Sequence, residues 1–469
     1  MTIDPPRVAL DYLGCKVNQA EIEELGQRFR QAGYVLAAAD QADVYILNTC
    51  TITHVADRKA RLLIHQAARR RPRPLIVVTG CYPSVDPAAV AAIEGVDLVV
   101  SNADKRRLVE IVETRLLATA PGRPRRHGYP LGSSYEDAER VASASSLQAE
   151  TWTEGRSPLV RTRAMLKVQD GCDHFCTYCI VPRARGGVRS TPISEVVDMI
   201  RQRTAQGYKE VVLTGVALGS YGRDGGRRQT SSSLHLLVET ILRDTTVPRL
   251  RLSSIEPENL EPGMLNLWSD HRFCRHLHLP LQSGCDVTLK RMGRRYRTAD
   301  YAALVEQARA IAPDVAITTD IIVGFPGETD DHFAQSYRFA EAMQFAKIHV
   351  FRFSPRRGTP ATRLAGPVPE AVKKERAQAM IGLSERSGRT FRRRFIGTRR
   401  EVLWEEVWAP DGDQDEPSMP EATWWTGLTD NYIRVYARVN GNRRDQIDSV
   451  ELIAETNDGL LGGDCLPLP

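Results

Sequence analysis

The sequence predicts an α/β protein with an N-terminal doubly wound parallel sheet, a central partial (β/α)6 barrel and a small C-terminal antiparallel β domain. Three observations lead to this organisation. Strand and helix patterns alternate from residue 7 to about 119, and the alternation returns between 163 and about 394. From about residue 390 onward, apolar and polar residues alternate instead. Repeated β-α units make parallel sheets, whereas two-residue alternation is typical of half-buried antiparallel strands.

The N-terminal region contains four predicted strands, each followed by a predicted helix. The strands span residues 8–13, 44–48, 75–79 and 96–100, and the helices span 21–32, 55–70, 87–93 and 105–117. Helices that alternate with parallel strands cover the faces of the sheet. We therefore expect a doubly wound sheet over residues 6–119.

Three cysteines of this region follow successive strands: Cys15, Cys50 and Cys81. The carboxyl ends of parallel strands share one edge of the sheet, where ligands bind. Residues that lie 35 and 31 positions apart in the sequence can therefore converge in space. The alternative is three buried apolar cysteines, but those are expected within strands rather than just past their ends.

A linker rich in Gly, Pro, Ser and Arg is expected at residues 120–157. Between 158 and 389, six strand candidates alternate with helical patterns, at residues 165–169, 210–214, 250–253, 276–279, 316–323 and 346–353. Six such units suit an open or partial barrel with its site at the carboxyl ends of the strands. The polar stretch 224–233 is predicted to be a surface insertion.

The C-terminal region, residues 390–458, carries the antiparallel pattern. Strands are predicted at 401–408, 423–428 and 432–439. The stretch between the first two, 409–420, is rich in Asp, Glu and Pro and is predicted to be a long hairpin loop.

The composition is that of an ordinary globular protein, with a formal net charge of +5. Basic residues cluster at 290–297 and at 386–400, and the second run holds seven arginines and no acid. Such runs are more often solvated faces than binding sites, so both interpretations stay open at this point. No apolar stretch approaches the roughly 20 residues of a membrane span, and the N-terminus lacks a signal pattern. We expect a cytoplasmic protein without a membrane partner.

The sequence GCDHFCTYC places Cys172, Cys176 and Cys179 in a C-x3-C-x2-C triplet directly after a predicted strand. In a reducing compartment, clustered cysteines are more typical of metal ligands than of disulfides. Three close thiolates fit three irons of a four-iron cluster and leave the fourth iron open, as in a catalytic site. A zinc site completed by His174 is the alternative, but the spacing is too tight and a paired C-x2-C is missing.

This triplet after the first barrel strand resembles the radical S-adenosylmethionine (SAM) superfamily. The resemblance implies a 4Fe–4S cluster and SAM, whose bond cleavage supplies a radical. It also implies cofactor contacts at the strand ends, for which the candidates are Thr214, Gly215, Ser254, Glu256 and Gln282. Barrel turns and helix starts explain these residues equally well. No catalytic side chain is predicted.

Further motifs narrow the resemblance to the methylthiotransferases. They are LGCKVN at 13–18, NTCTIT at 48–53, TGCY at 79–82 and HLPLQSG at 278–284. The resemblance implies that Cys15, Cys50 and Cys81 hold a second 4Fe–4S cluster. It also implies that the C-terminal domain is a small RNA-binding barrel of the TRAM type, with matches at 397–403 and 427–435.

The sequences of the three N-terminal motifs resemble those of the MtaB-like branch of the family. That branch converts N6-threonylcarbamoyladenosine, next to the anticodon in tRNA, to its 2-methylthio derivative. The alternatives are the branches that act on isopentenyl-adenosine in tRNA or on an aspartate of a ribosomal protein. The resemblance implies three partners: the tRNA anticodon stem-loop, an electron donor such as a flavodoxin or ferredoxin, and a sulfur donor.

Several residues keep open assignments. Cys285 stands where the family often has a serine, and it is expected to be structural, whereas Cys274 and Cys465 are expected to be unligated. A threonylcarbamoyl group carries a carboxylate, so its pocket should offer cations. The candidates near strand ends are Arg183, Arg185, Arg352, Arg356 and Arg357. In this context, the run at 386–400 is expected to contact the RNA backbone.

Overall fold

The computed structural model describes residues 5–119, 162–226, 232–408 and 423–467. The predicted linker, half of the predicted insertion and the predicted hairpin loop lie outside these residues. The described residues form two compact units. The first comprises residues 5–119 together with 183–185, and the second comprises the remainder.

The first unit is a parallel sheet of five strands, in the order β2-β1-β3-β4-β5. Four strands match the predicted ones, and the short β2 is added beside β1. The strands are β1 (Arg7–Tyr12), β2 (Val35–Leu36), β3 (Val44–Thr49), β4 (Leu75–Gly80) and β5 (Leu98–Val100). The helices are α1 (Lys16–Gln31), α2 (His54–Ala68), α3 (Cys81–Val85), α4 (Pro87–Ala91) and α5 (Leu108–Thr119).

Both faces of this sheet are buried, which confirms the doubly wound arrangement. Along β3, Val44 and Ile46 pack into one apolar cluster, while Tyr45 and Leu47 pack into a second. Successive side chains of a strand point to opposite faces. A strand that is apolar at every position is therefore expected to be covered on both sides.

The open-barrel part of the second unit contains, among the described residues, six parallel strands and one short antiparallel strand. β7, β6, β8 and β9 form one sheet, and β10, β11 and β12 form another. Single bridges between residues 250 and 273, and between 254 and 278, connect the two sheets into an open barrel. The strands are β6 (Arg163–Asp170), β7 (Arg189–Ser190), β8 (Glu210–Gly215), β9 (Arg249–Leu252), β10 (His276–His278), β11 (Ala316–Val323) and β12 (Lys347–Arg352).

Helices pack on the outside of this open barrel. They are α7 (Ile193–Ala205), α8 (Leu234–Asp244), α9 (Asp286–Met292), α10 (Thr298–Ile311), α11 (Asp330–Ala342) and α12 (Glu370–Arg393). The short helix α6 (Val181–Arg185) precedes β7 in the chain, and its residues 183–185 belong to the first unit. Val211 and Leu213 of β8 belong to the core that these helices share. The alternate residues of the same strand, Glu210 and Thr214, are buried polar groups on its other face. The inside of the barrel therefore offers polar side chains.

The C-terminal domain is a closed barrel of five strands, in the order β13-β14-β15-β17-β16. The sequence predicted three of them, and the chain supplies two more after residue 446. One pair, β15 with β17, is parallel, and the other pairs are antiparallel. The strands are β13 (Arg399–Val407), β14 (Thr423–Thr429), β15 (Arg434–Val439), β16 (Ile447–Glu455) and β17 (Leu460–Pro467).

A buried ion-pair cluster joins this small barrel to the open barrel within the second unit. The Glu210 carboxylate accepts two hydrogen bonds from Arg251, at 2.6 and 3.1 Å. Arg251 also donates to the carbonyl oxygen of Asp430 at 2.7 Å, and its guanidinium lies 4.7 Å from the ring centroid of Tyr432. The Tyr432 ring stacks on His276 at 4.7 Å. The loop between β14 and β15 is thus bound to residues of β8, β9 and β10.

Candidate active site

The first unit brings its three cysteines to the carboxyl edge of the sheet. Cys15 precedes α1, Cys50 follows β3, and Cys81 is the first residue of α3. Two glycines with a φ of +104° permit this close approach. A Cβ atom on Gly14 would lie 2.5 Å from the Cβ of Cys50, and one on Gly80 would lie 2.4 Å from a carbonyl oxygen of β3.

The thiols of this triad influence one another. Burial, together with the neighbouring thiols of Cys15 and Cys81, raises the pKa of the Cys50 thiol to about 12. The backbone N–H of Ile52 donates to the Cys50 sulfur at 3.4 Å and opposes this rise. Thiols in such surroundings keep their protons unless a bound cation displaces them, as a metal centre does.

A buried charged network lies next to the same triad. The Glu21 carboxylate accepts hydrogen bonds from Lys105 and from Arg185, the latter at 2.7 Å. Asn18 and Asn48 complete the network through their side-chain oxygens, which accept from Arg185 at 2.8 Å and from Lys105 at 3.1 Å. Lys105 and Arg185 carry two positive charges against the single negative charge of Glu21. This excess positive charge suits a site that holds several thiolates. Arg185, one of the five candidate cations for a substrate carboxylate, has its guanidinium buried against Glu21.

The second unit holds the C-x3-C-x2-C triplet in a loop that follows β6. The backbone N–H of Cys172 donates to the carbonyl oxygen of Gly186 at 3.0 Å. Gly171 has a φ of +74°, and a Cβ atom there would lie 1.9 Å from the carbonyl oxygen of Gly187. Thr177 fastens the loop on the other side, because its N–H donates to the carbonyl oxygen of Met292 at 2.9 Å.

The strand ends beside this loop present buried polar atoms that no protein group satisfies. Among the described residues, the side-chain oxygens Thr214 Oγ1, Ser253 Oγ and Glu256 Oε2 are buried without a hydrogen-bond partner. Burial raises the pKa of Glu256 to about 7. Unsatisfied buried polar atoms are rare in proteins and point to a missing ligand or water. A polar cofactor with hydroxyl, amine and carboxylate groups fits this edge.

The remaining predicted cofactor contacts lie along the same edge. Gly215 ends β8, and a Cβ atom there would lie 2.7 Å from Gln169 Oε1. Ser254 bridges to His278 after β9. Gln282 has a φ of +66°, and such a strained backbone in a residue other than glycine is typical of functional sites. All five predicted contacts thus lie at or just past the carboxyl ends of barrel strands, and their binding roles are part of the proposed function.

His174 is engaged in protein contacts rather than poised to bind zinc. Its Nε2 atom lies 3.0 Å from Asn259 Nδ2 and 3.3 Å from Ser220 Oγ. Burial lowers the pKa of this imidazole, so it is neutral at pH 7, although Glu258 at 3.7 Å opposes the shift. Among the residues that the structure describes, no group of three or more His, Cys, Asp or Glu side chains is arranged to hold a metal ion, so the two cysteine triads stay predicted cluster ligands.

Sequence reasoning missed one residue of this site, Arg294. It belongs to the basic run at 290–297, for which the sequence left a solvated face and a binding site open without singling out Arg294. In the structure, Arg294 Nη1 donates to the sulfur of Cys176 at 3.4 Å. The partners lie 118 positions apart in the sequence. No local pattern could have identified this contact.

The remaining candidate arginines and the three cysteines outside the triads have the following surroundings. Arg352 pairs with Glu370 at 2.6 Å, and Arg356 is buried, while Arg183 and Arg357 are exposed. The cysteines outside the two triads do not join them. Cys285 donates weakly to Gln335, Cys465 donates weakly to a carbonyl oxygen, and burial raises the pKa of Cys274 to about 12.

Two family models match this chain. Residues 166–340 match the Radical SAM superfamily, and residues 7–101 match the Uncharacterized protein family UPF0004. The first match covers the open barrel from β6 to α11, including the cysteine triplet, and ends before β12. The second covers the sheet that carries Cys15, Cys50 and Cys81.

Curated relatives extend the similarity to almost the whole chain. The threonylcarbamoyladenosine tRNA methylthiotransferase MtaB of Bacillus subtilis (strain 168) is 36% identical over 451 residues, which is 95% of this chain and 93% of the relative. The MtaB protein of Thermotoga maritima is 35% identical over 97% of this chain and 96% of that protein. This chain belongs to the radical SAM methylthiotransferase family. The methylthiotransferase is therefore a radical SAM enzyme whose cofactors are SAM and two 4Fe–4S clusters.

A solved structure supports the fold of the methylthiotransferase. It is the radical SAM methyltransferase TsrM of Kitasatospora setae with cobalamin and a 4Fe–4S cluster bound. The TM-score is 0.53 at 16% identity, over 76% of this chain and 74% of TsrM. At that identity the likeness concerns the fold alone. No helix among the described residues of the methylthiotransferase is long and apolar enough to cross a membrane.

Proposed function

We propose that this enzyme converts N6-threonylcarbamoyladenosine, next to the anticodon in tRNA, to its 2-methylthio derivative. The observation that carries the proposal is the similarity, over nearly the whole chain, to relatives named for this modified nucleoside. A cytoplasmic location follows from a tRNA substrate. The reaction also needs an electron donor of the flavodoxin or ferredoxin class and a sulfur donor.

In this proposal the two cysteine triads have separate roles. Cys172, Cys176 and Cys179 bind the cluster that contacts SAM, because they lie beside the unsatisfied polar atoms of β8 and β9. When bound, this cluster and SAM supply a radical able to act on an unactivated C–H bond. The first-unit triad binds the second cluster, at which sulfur is held for transfer.

The protein's own groups bind and orient the cofactor. Thr214 and Ser253 each offer a buried hydroxyl, and Glu256, with a pKa of about 7, can accept from the cofactor's hydroxyl or amine groups. Gly215 allows Gln169 to approach the end of β8, because a Cβ atom there would lie 2.7 Å from Gln169 Oε1. Ser254 and Gln282 extend the same edge. These groups are already positioned in the folded chain, so little reorganisation is needed on binding.

The arginine run at 386–400 is the proposed RNA contact. The ion pairs that its arginines form within the protein indicate which of them are available to RNA. Three of its arginines face a single carboxylate, Glu455, at 3.5 Å from Arg389, 3.7 Å from Arg392 and 2.8 Å from Arg393. Arg389 and Arg393 have more than half of their side chains exposed, whereas Arg392 is mostly covered. The surface around Glu455 therefore stays cationic, as phosphate binding requires.

Replacing Arg389 and Arg393 with Ala should weaken tRNA binding and flatten its salt dependence. Each lost phosphate contact lowers the slope of log affinity against log salt by about 0.7–0.9. Filter-binding titrations between about 50 and 200 mM salt measure this slope. The matched control is Arg201→Ala, whose exposed partner is Asp198 on α7. An unchanged slope in the double variant would mean that these arginines form a solvated surface and do not contact the RNA backbone.

The substrate is tested with two tRNA preparations, one carrying threonylcarbamoyladenosine and the other isopentenyl-adenosine. Each is incubated with reconstituted enzyme, SAM and a reductant, and the nucleosides are analysed by mass spectrometry. We expect a 2-methylthio product only from the threonylcarbamoyl substrate. Product only from isopentenyl-adenosine, or only from a ribosomal protein added in a third reaction, would overturn the assignment.

A further inference from the structure

A cationic side chain donates a hydrogen bond to one of the proposed cluster ligands. Arg294 Nη1 lies 3.4 Å from Cys176 Sγ. Other sulfur atoms of the two triads accept from neutral donors: the N–H of His174 at Cys172, the N–H of Ile52 at Cys50 and the amide of Asn102 at Cys81. The Cys176 contact therefore places a full positive charge against a ligand sulfur.

The guanidinium of Arg294 is held in position. Its Nε donates to the hydroxyl of Tyr296 at 3.2 Å, and its Nη2 donates to the carbonyl oxygen of Pro280 at 3.4 Å. The charge also lies 5.1 Å from the centroid of the Tyr296 ring. Tyr296 in turn donates to the carbonyl oxygens of Pro280 and Leu281. A donor fixed by three groups keeps its distance to the sulfur.

The backbone around Arg294 is attached to the ligand loop as well. Helix α9 ends at Met292, and Gly293, with a φ of +77°, caps it and turns the chain. The hydroxyl of Thr177 donates to the carbonyl oxygen of Arg291 at 2.9 Å, and the Thr177 N–H donates to that of Met292. Movement of the loop and movement of the arginine are therefore coupled.

We propose that Arg294 raises the reduction potential of the cluster bound by Cys172, Cys176 and Cys179. This inference rests on the proposed function only in taking these cysteines as the ligands. Reduction adds one electron from the external donor and no proton, so the group becomes more negative by one charge. A fixed cation and a hydrogen bond at a ligand sulfur stabilise the more negative form. Arg294 is thus a positioning and tuning residue that eases electron entry.

The test measures the potential directly, with SAM absent. The full-length chain carrying Cys15→Ala, Cys50→Ala and Cys81→Ala removes the second triad, so one cluster gives the electron paramagnetic resonance signal. Arg294→Gln and Arg294→Lys are then introduced, and each protein is titrated with a reductant at controlled potential. The matched control is Arg295→Gln, because Arg295 is the next residue and is exposed to solvent.

For Arg294→Gln we expect the ratio of reduced to oxidised cluster, at the parent's midpoint potential, to fall about tenfold, which is a shift of about 59 mV. Arg294→Lys keeps the positive charge, so the ratio of reduced to oxidised cluster should fall by less in this variant. Arg295→Gln should change the ratio by less than about twofold, because water screens its charge. Equal midpoints for Arg294→Gln and the parent would overturn the proposal.

Two further outcomes are decisive. A shift that appears only after SAM is added would mean that Arg294 acts through the cofactor, and it would overturn direct tuning. Loss of the cluster from both Arg294 variants would mean that Arg294 has a structural role. This result would also overturn direct tuning. Failure of the proposed ligand assignment is seen separately, because the parent chain itself would then lack its signal or retain two clusters.

Discussion

Cys176→Ala is expected to abolish the formation of 5′-deoxyadenosine from SAM, whereas Cys50→Ala is expected to leave it largely intact and to abolish methylthiolation. The reason is the position of the two triads. The triplet of the second unit follows the first strand of the open barrel, and the buried unsatisfied oxygens of Thr214, Ser253 and Glu256 lie at or just after the ends of the next two parallel strands. Each variant should also lose about half of the bound iron, because each removes a ligand from one of two four-iron clusters.

Both products are measured in one anaerobic reaction by liquid chromatography and mass spectrometry. The matched control is Cys465→Ala, which removes a cysteine outside both triads and should leave both products unchanged. The division of roles is wrong if Cys50→Ala stops 5′-deoxyadenosine formation while the second-unit cluster remains fully loaded, as its spectroscopic signal would show.

Glu210→Gln is expected to destabilise the second unit by about 3–5 kcal/mol, the usual cost of breaking a buried ion pair. Both Glu210 and Arg251 have fully buried side chains. The substitution leaves Arg251 without its carboxylate, and Arg249 lies near the same group. Because Arg251 also holds the loop of the C-terminal barrel, the loss should weaken the packing of that barrel.

Urea unfolding followed by tryptophan fluorescence measures this effect, since Trp404 and Trp425 lie in the core of the C-terminal barrel. The control is Asp198→Asn, which breaks an exposed ion pair with Arg201 and should cost at most about 1 kcal/mol. A Glu210→Gln midpoint equal to that of the control would show that hydrogen bonds of the neutral amide suffice at this site.

The same carboxylate predicts a pH dependence of stability. Burial alone would raise the pKa of Glu210, but the charge and hydrogen bonds of Arg251 prevail and lower it to about 2. Its pKa is thus depressed below the unfolded value of about 4.3. The stabilisation is therefore present above about pH 4.3 and is lost as the pH falls towards 2. In Glu210→Gln the free energy of unfolding should fall less steeply over this interval than in the wild type.

The sequence alone determined where the proposed cluster ligands lie. Cys50 and Cys81 directly follow strands of a parallel sheet, and Cys172 comes soon after the first barrel strand. These features depend on local patterns: an apolar strand, a glycine before the cysteine, and a short spacing between ligands. Because the carboxyl ends of parallel strands meet at one edge, strand positions sufficed to bring together residues that are far apart in the chain.

The tertiary structure decided the roles of the charged residues. Arg294 and Arg393 both belong to basic runs, yet the former donates to the sulfur of Cys176 while the latter is largely exposed beside Glu455. Arg185, a candidate for substrate binding, is buried against Glu21 instead. The energy of a charge depends on its burial and on the partners within a few ångströms. Those partners come from distant parts of the chain, and only the folded structure brings them together.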